Sequence, residues 1–119
     1  MIDPVDFLCR LDHRWRSFGR GARCEICGLT WTLLLQHFRG HIACYQCLGV
    51  RIGKPSVELH HVGGEPSPIQ LLIPGNLHRV VTFWQDLTWR GVVEPASAEA
   101  VRLDLAALLV FGSLLPAVR

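Results

Sequence analysis

Two matched cysteine pairs constrain this chain more than any other feature: Cys24-x2-Cys27 and Cys44-x2-Cys47, with sixteen residues between them. A Cys-x-x-Cys turn aims two sulfurs at one point. Two such turns complete a tetrahedron of thiolates, the coordination that suits Zn²⁺. The intervening length lies in the range of structural zinc sites. Gly28 and Gly49, after each pair, are expected to supply the backbone freedom of a knuckle. A redox dithiol and a pair of disulfides are the competing readings, and neither accounts for two matched pairs. Four thiolates close the coordination sphere, so this zinc is expected to hold the chain together and not to activate water.

The remaining composition narrows the classes. With 119 residues, half of them apolar, residues 1–119 fit one domain. The formal charge of +2 is too small to demand a nucleic-acid partner, but its distribution is uneven. "RLDHRWRSFGRGAR", residues 10–23, holds five arginines and one acid, and the whole chain has a single lysine, Lys54. Arginine favours planar, bidentate contact with phosphate or carboxylate. A solvated arginine-rich surface and a phosphate-binding face built on Arg14, Arg16, Arg20 and Arg23 both fit this run. Residues 1–20 lack the apolar centre of a signal peptide. The apolar run 105–118 is short for a bilayer and is broken by Gly112, Ser113 and Pro116. We expect a cytoplasmic protein with no membrane partner, in which cysteines serve a metal.

Periodicity predicts a basic N-terminal helix within 1–21, over residues 4–18. Pro4 suits its first turn, and Phe7, Leu8, Leu11, Trp15 and Phe18 form a stripe. Cys9 reads as a small buried apolar residue. Residues 22–56 form the zinc-knuckle region, where "LTWTLLLQHF" fits a helix or a strand equally. His37 and His41 within it read as ordinary surface histidines. Strands are expected at 57–62 and 69–74, with the breaker-rich "GGEPSP" between them. A helix capped by Gly75 or Asn76 follows, with Leu77, Val80, Val81, Trp84 and Leu87 on one stripe. One of Trp84 and Trp89 should be buried and the other should pack on a final helix. That helix opens at Ser97 and fills the C-terminal segment 97–119. Its stripe Val101, Leu105, Leu108, Leu109 and Leu115 suggests a core face or the interface of a homodimer or partner protein.

The stretch "VELHHVGGEP", residues 57–66, places two imidazoles side by side on a strand. Neighbouring strand residues point to opposite faces, so His60 and His61 must do different work. His78 follows at the start of the next helix. Strand, loop, strand and helix can bring a strand histidine and a helix histidine to one metal, leaving another imidazole free to take a proton.

These residues resemble the HNH, or ββα-metal, endonucleases. The matching features are "ELHHVGG", the polar loop and "IPGNLHRVVTFWQ", within residues 22–90 in outline and with specificity over 57–85. The family often carries Cys-x-x-Cys-His-Arg where "PGNLHR" stands here, with Pro74 and Leu77 in place of the cysteines. The second cysteine pair lies upstream instead. The resemblance implies an α+β fold: a small zinc-stabilised ββα-metal core over 57–90 with flanking N- and C-terminal helices. It implies His61 as general base, His60 and His78 as ligands of a catalytic Mg²⁺, Mn²⁺ or similar ion, and Asn76 as a loop-ordering catalytic residue. A second register takes Asn76 as the central asparagine and puts Gln85 in the helix-ligand position, beside Asp86; glutamine is a poor ligand there. Glu58 shares the His60 face and could orient a metal-bound imidazole. Arg79 could contact phosphate, with Arg51 and Lys54 further along the backbone. The implied activity is hydrolysis of phosphodiester bonds in double-stranded DNA. The departures at Pro74 and Leu77 keep a second class open, a non-catalytic zinc-binding protein that binds nucleic acid or serves as an adaptor.

Overall fold

The computed structural model describes residues 3–116. The extreme ends of the expected terminal segments, 1–2 and 117–119, lie outside the described residues. Helix α1 spans Pro4–Phe18. A 3₁₀ turn at Thr32–Leu34 leads into strands β1, Leu35–Phe38, and β2, His41–Cys44. Helix α2 is Tyr45–Arg51. Strands β3, Val57–His61, and β4, Gln70–Pro74, precede helix α3, Gly75–Thr88, and helix α4, Ala98–Leu114, closes the chain. The protein is a small mixed α+β fold with four helices and two separate two-stranded antiparallel sheets.

Local chemistry sets most of these boundaries. Asp3 caps α1 by accepting from the Val5 N–H at 2.8 Å, Pro4 opens the helix, and Gly19 ends it at φ +81°. Ser97 caps α4 by accepting from the Ala100 N–H at 3.1 Å. Arg39 and Gly40, both at positive φ, form the two-residue turn of the β1–β2 hairpin. This resolves "LTWTLLLQHF" into a 3₁₀ turn followed by a strand. Helix α3 begins at Gly75 behind Pro74 with no side-chain cap, so neither Gly75 nor Asn76 caps it as expected.

Two hairpins each run directly into a helix: β1–β2 into α2, and β3–β4 into α3. The core lies where the first unit meets α3, with Leu29, Leu34, Leu35, Ala43 and Val80 packed around Cys24, Cys44 and Cys47. Helix α1 sits on its edge. Residues 7, 11, 14 and 18 fall within a narrow arc at 100° per residue, and those four side chains are half-buried. Leu8 and Trp15, expected in the stripe, lie off that arc and are exposed, as is Cys9. Trp89 is buried, while Trp84 lies edge-on to Phe111 of α4 at 5.7 Å.

The stripe expected to form a core or interface face on α4 is inward only in part: Val101, Leu108 and Leu115 are half-buried, and Leu115 packs on the cysteine core. Ala100, Asp104 and Ala107 face inward, and Leu105 and Leu109 are exposed. A helix apolar on nearly every side gives periodicity no face to select. Close packing selected it instead: the small side chains let α4 approach the loop after β3.

Candidate functional site

The four cysteines form one cluster, their Sγ atoms all within 4.8 Å of one another. Cys24 and Cys27 come from the turn before the first hairpin, where Gly28 adopts φ +82°. Cys44 ends β2 and caps α2, its sulfur accepting from the Cys47 N–H at 3.4 Å. The second knuckle is therefore a helix start. Gly49 lies inside α2 without the positive φ expected of it. The cluster fits zinc. Tetrahedral Zn–S bonds of about 2.3 Å place sulfurs about 3.8 Å apart, and Cys27 Sγ and Cys44 Sγ are 3.8 Å apart. Burial pushes the Cys24 thiol up, but N–H donors, led by that of Cys27, bring it to about 7. Burial and neighbouring cysteines push Cys47 up. Four thiolates this close repel one another unless a dication lies among them.

A second site lies apart from the sulfurs. His60, His61 and His78 line one cleft of about 550 Å³, together with Thr82, Gln85, Trp89 and Arg90. His60 and His78 meet edge-on, ring centroids 5.3 Å apart. Each has one nitrogen on a carboxylate. His60 Nε2 is 2.7 Å from Asp104 Oδ2. His78 Nδ1 is 2.5 Å from Glu58 Oε2, while Glu58 Oε1 accepts from the Tyr45 hydroxyl at 2.8 Å. Burial would raise both carboxyl groups, but the bonds from His60 to Asp104, and from His78 and Tyr45 to Glu58, outweigh it and hold both below their ordinary values. Ionised carboxylates only accept hydrogen bonds, so the facing nitrogens carry the protons. His60 Nδ1 and His78 Nε2 make no hydrogen bond among the described residues. His61 turns the other way, as adjacent strand positions require. Its Nδ1 donates to the Ser67 carbonyl at 3.2 Å, and its Nε2 stands 3.6 Å from the exposed Glu65 carboxylate.

Among the described residues, only the cysteines gather three or more ligand atoms within 4.8 Å. The histidine cleft offers two convergent imidazoles instead. Among the described residues, two buried side-chain polar atoms in its wall, Gln85 Nε2 and Trp89 Nε1, meet no hydrogen-bond partner within bonding distance. Unpaired buried polar groups are rare in folded proteins, and the two here mark polar capacity that the packing does not consume.

Asn76 is not among the residues lining the cleft. It is buried against the zinc unit, where its Oδ1 accepts from the Gln46 N–H at 2.9 Å and its Nδ2 donates to Cys44 Sγ at 3.3 Å. Gln46 Oε1 accepts in return from the Asn76 N–H at 3.2 Å. This latch joins the starts of α2 and α3, and it replaces the loop-ordering place expected of Asn76. Gln85 lies in the cleft wall, with its Oε1 accepting from Arg90 at 2.8 Å.

The arginines divide. Arg14 and Arg79 line a cleft of about 510 Å³ between α1 and α3, walled by Phe7, Leu33 and Phe83. Arg79 lies over the Tyr45 and Phe83 rings at 5.2 and 4.9 Å, and Arg14 donates to the Leu35 carbonyl. Burial, then the Arg79 charge, lowers the Arg14 pKa. Neither forms an ion pair among the described residues. Arg16 instead pairs with Asp12 at 3.1 Å, and Arg20 and Arg23 are exposed beyond α1. Arg51 and Lys54 are exposed too.

Sequence reasoning missed Asp104. Its neighbours at three and four residues' spacing, Ala100, Val101, Ala107 and Leu108, are all apolar. A carboxylate so placed must be buried and paired, and that was the available signal. Comparison with protein-family models, with curated proteins and with solved structures found no match to this chain. No helix among the described residues is long and apolar enough to cross a membrane.

Proposed function

We propose that this chain is a metal-dependent endonuclease of HNH type that hydrolyses phosphodiester bonds in double-stranded DNA, built on a ββα-metal core formed by β3, β4 and α3. One observation carries the reading: His60, His61 and His78 all line a single cleft, apart from the cysteine cluster, with His60 and His78 in edge contact and each oriented by a carboxylate.

His61 is the base. Its Nδ1 proton is held by the Ser67 carbonyl, which leaves Nε2 to accept a proton from water. His60 and His78, through the nitrogens not engaged by carboxylates, would hold a divalent cation. Mg²⁺ and Mn²⁺ both supply the needed chemistry, charge stabilisation at the phosphate and the leaving oxygen; imidazole ligands suit transition ions better than Mg²⁺, which makes Mn²⁺ the sharper probe. Glu58 and Asp104 keep the two rings turned toward the cleft. Arg14 and Arg79, in their separate cleft between α1 and α3, would hold the DNA backbone.

Incubation of the zinc-loaded protein with supercoiled plasmid, with and without Mn²⁺ or Mg²⁺, tests the reading. The expected result is metal-dependent nicking or cutting that disappears in His61→Ala while zinc content and thermal unfolding stay unchanged. Cleavage retained in His61→Ala, or none in the wild type, sinks it. A second reading, nucleic-acid binding without cutting, rests on the unpaired Arg14–Arg79 cleft. It predicts salt-sensitive DNA binding in the wild type with no product at any metal concentration.

A further inference from the structure

We infer that Asp104, on the C-terminal helix α4, is a positioning residue that fixes the ring and the tautomer of His60, so that α4 is part of the metal site and not only a cover for it. The inference rests on the reading of the histidine cleft given above.

Asp104 is fully buried in the middle of α4. A single oxygen, Oδ2, accepts from two groups far away in sequence, His60 Nε2 and the Gly63 N–H, each at 2.7 Å. The approach that makes this reach short is built into the turn. Gly63 adopts φ +88°, and a Cβ there would stand 2.8 Å from Val101 Cγ2 and 3.1 Å from the Val101 nitrogen. No other residue fits this contact without a shift. The turn after His61 is thereby held against the α4 backbone one helical turn before Asp104.

A buried carboxylate is expensive, and an apolar residue in its place is often as good or better for stability. Asp104 gains its place through what it orients. An imidazole has two nitrogens and can present either as the lone-pair atom. With Nε2–H directed at Asp104, the lone pair resides on Nδ1 of a ring already edge-on to His78. Glu58 does the same for His78 through the opposite nitrogen. Such carboxylate partners fix tautomer and ring orientation in metal-bound histidines, and losing them commonly weakens metal binding 10- to 100-fold.

The test uses zinc-loaded, ¹⁵N-histidine-labelled full-length protein, as wild type, Asp104→Ala and Asp104→Asn, with His60→Gln to assign the signals. Long-range ¹H–¹⁵N spectra at neutral pH report the tautomer, and calorimetric titration with Mn²⁺ reports affinity. The inference requires an Nε2–H tautomer at His60 in the wild type. Asp104→Ala should mix the tautomers and weaken Mn²⁺ binding about 10- to 100-fold. Asp104→Asn, whose amide oxygen can still accept both bonds, should retain the tautomer and most of the affinity. If Asp104→Ala does not fold, Asp104→Leu, close in volume and unable to accept a hydrogen bond, takes its place in the same comparison. A His60 proton on Nδ1 in the wild type, or a tautomer and Mn²⁺ affinity unmoved in Asp104→Ala, overturns the inference. Absent plasmid cleavage with the tautomer and affinity results intact would remove the nuclease reading and leave this one standing. A wild type that takes up no Mn²⁺ would end both as statements about a cation.

Discussion

The cysteine unit and the histidine unit share a plan and differ in what holds their side chains in place. In each, a two-stranded hairpin passes without a linker into a helix; Cys44 and Cys47 sit at that junction in the first, whereas His60 and His61 sit at the loop end of β3 and His78 in the first turn of α3 in the second. In the first, a tight Arg39-Gly40 turn and two local N–H···S contacts bring four sulfurs together. In the second, the longer loop 62–69 separates the strands, and the rings depend on carboxylates outside the β4–α3 junction, Glu58 in β3 and Asp104 in α4. The difference is chemical. A thiolate presents one atom on a short stem, so a backbone turn suffices to aim it. An imidazole has two nitrogens and a rotating ring, so a second group must choose for it.

Removing the zinc should break the comparison most visibly. The unit around the cysteines is too small to bury an adequate core alone. Structural zinc contributes about 10–16 kcal/mol, against a total stability of about 5–15 kcal/mol for a typical domain. Chelation, or Cys47→Ser, should therefore abolish cooperative unfolding followed by circular dichroism. Binding requires deprotonated thiols, so zinc should be released as pH falls and not as it rises. Unchanged unfolding of verified metal-free protein would contradict this account.

The histidine unit should respond in the opposite way, with its chemistry lost and its fold kept. His61→Ala should lower plasmid cleavage about 10²- to 10⁴-fold, with the melting temperature held. Glu58→Ala removes the acceptor for His78, and a 10- to 100-fold loss in Mn²⁺ affinity is expected by titration. Equal affinity would show that His78 orients itself.

The latch between the units offers a finer probe. Asn76→Ala leaves the Gln46 N–H without its partner and should cost about 1–3 kcal/mol, read as a lower urea midpoint at constant m-value. A cleavage loss larger than the stability loss would return Asn76 to the catalytic role first expected of it. The smallest effect is expected at Arg14→Gln and Arg79→Gln. Each should reduce the salt dependence of DNA binding by roughly 0.9 in log–log slope if it meets one phosphate. Arg16→Gln, whose partner is Asp12, should change it less.

Legibility followed distance along the chain. The cysteine pairing, the Pro4 and Ser97 helix starts and the ranges of β3 and β4 were readable because their causes lie within a few residues. The partners of Asn76, Gln46 and Cys44, were not readable because they are about thirty residues away. The α4 stripe did not separate a core face from an interface face because hydropathy there has too little contrast.

By itself the sequence determined two cysteine knuckles, a histidine doublet on a strand, a histidine at a helix start and a terminal apolar helix, since spacing, capping and alternation act over one or two turns. Only the tertiary structure decided that α4 turns Ala100, Asp104 and Ala107 inward, that Asp104 meets His60, and that Asn76 faces sulfur. Those outcomes depend on how closely backbones approach, above all at Gly63 against Val101, and no local pattern records that distance.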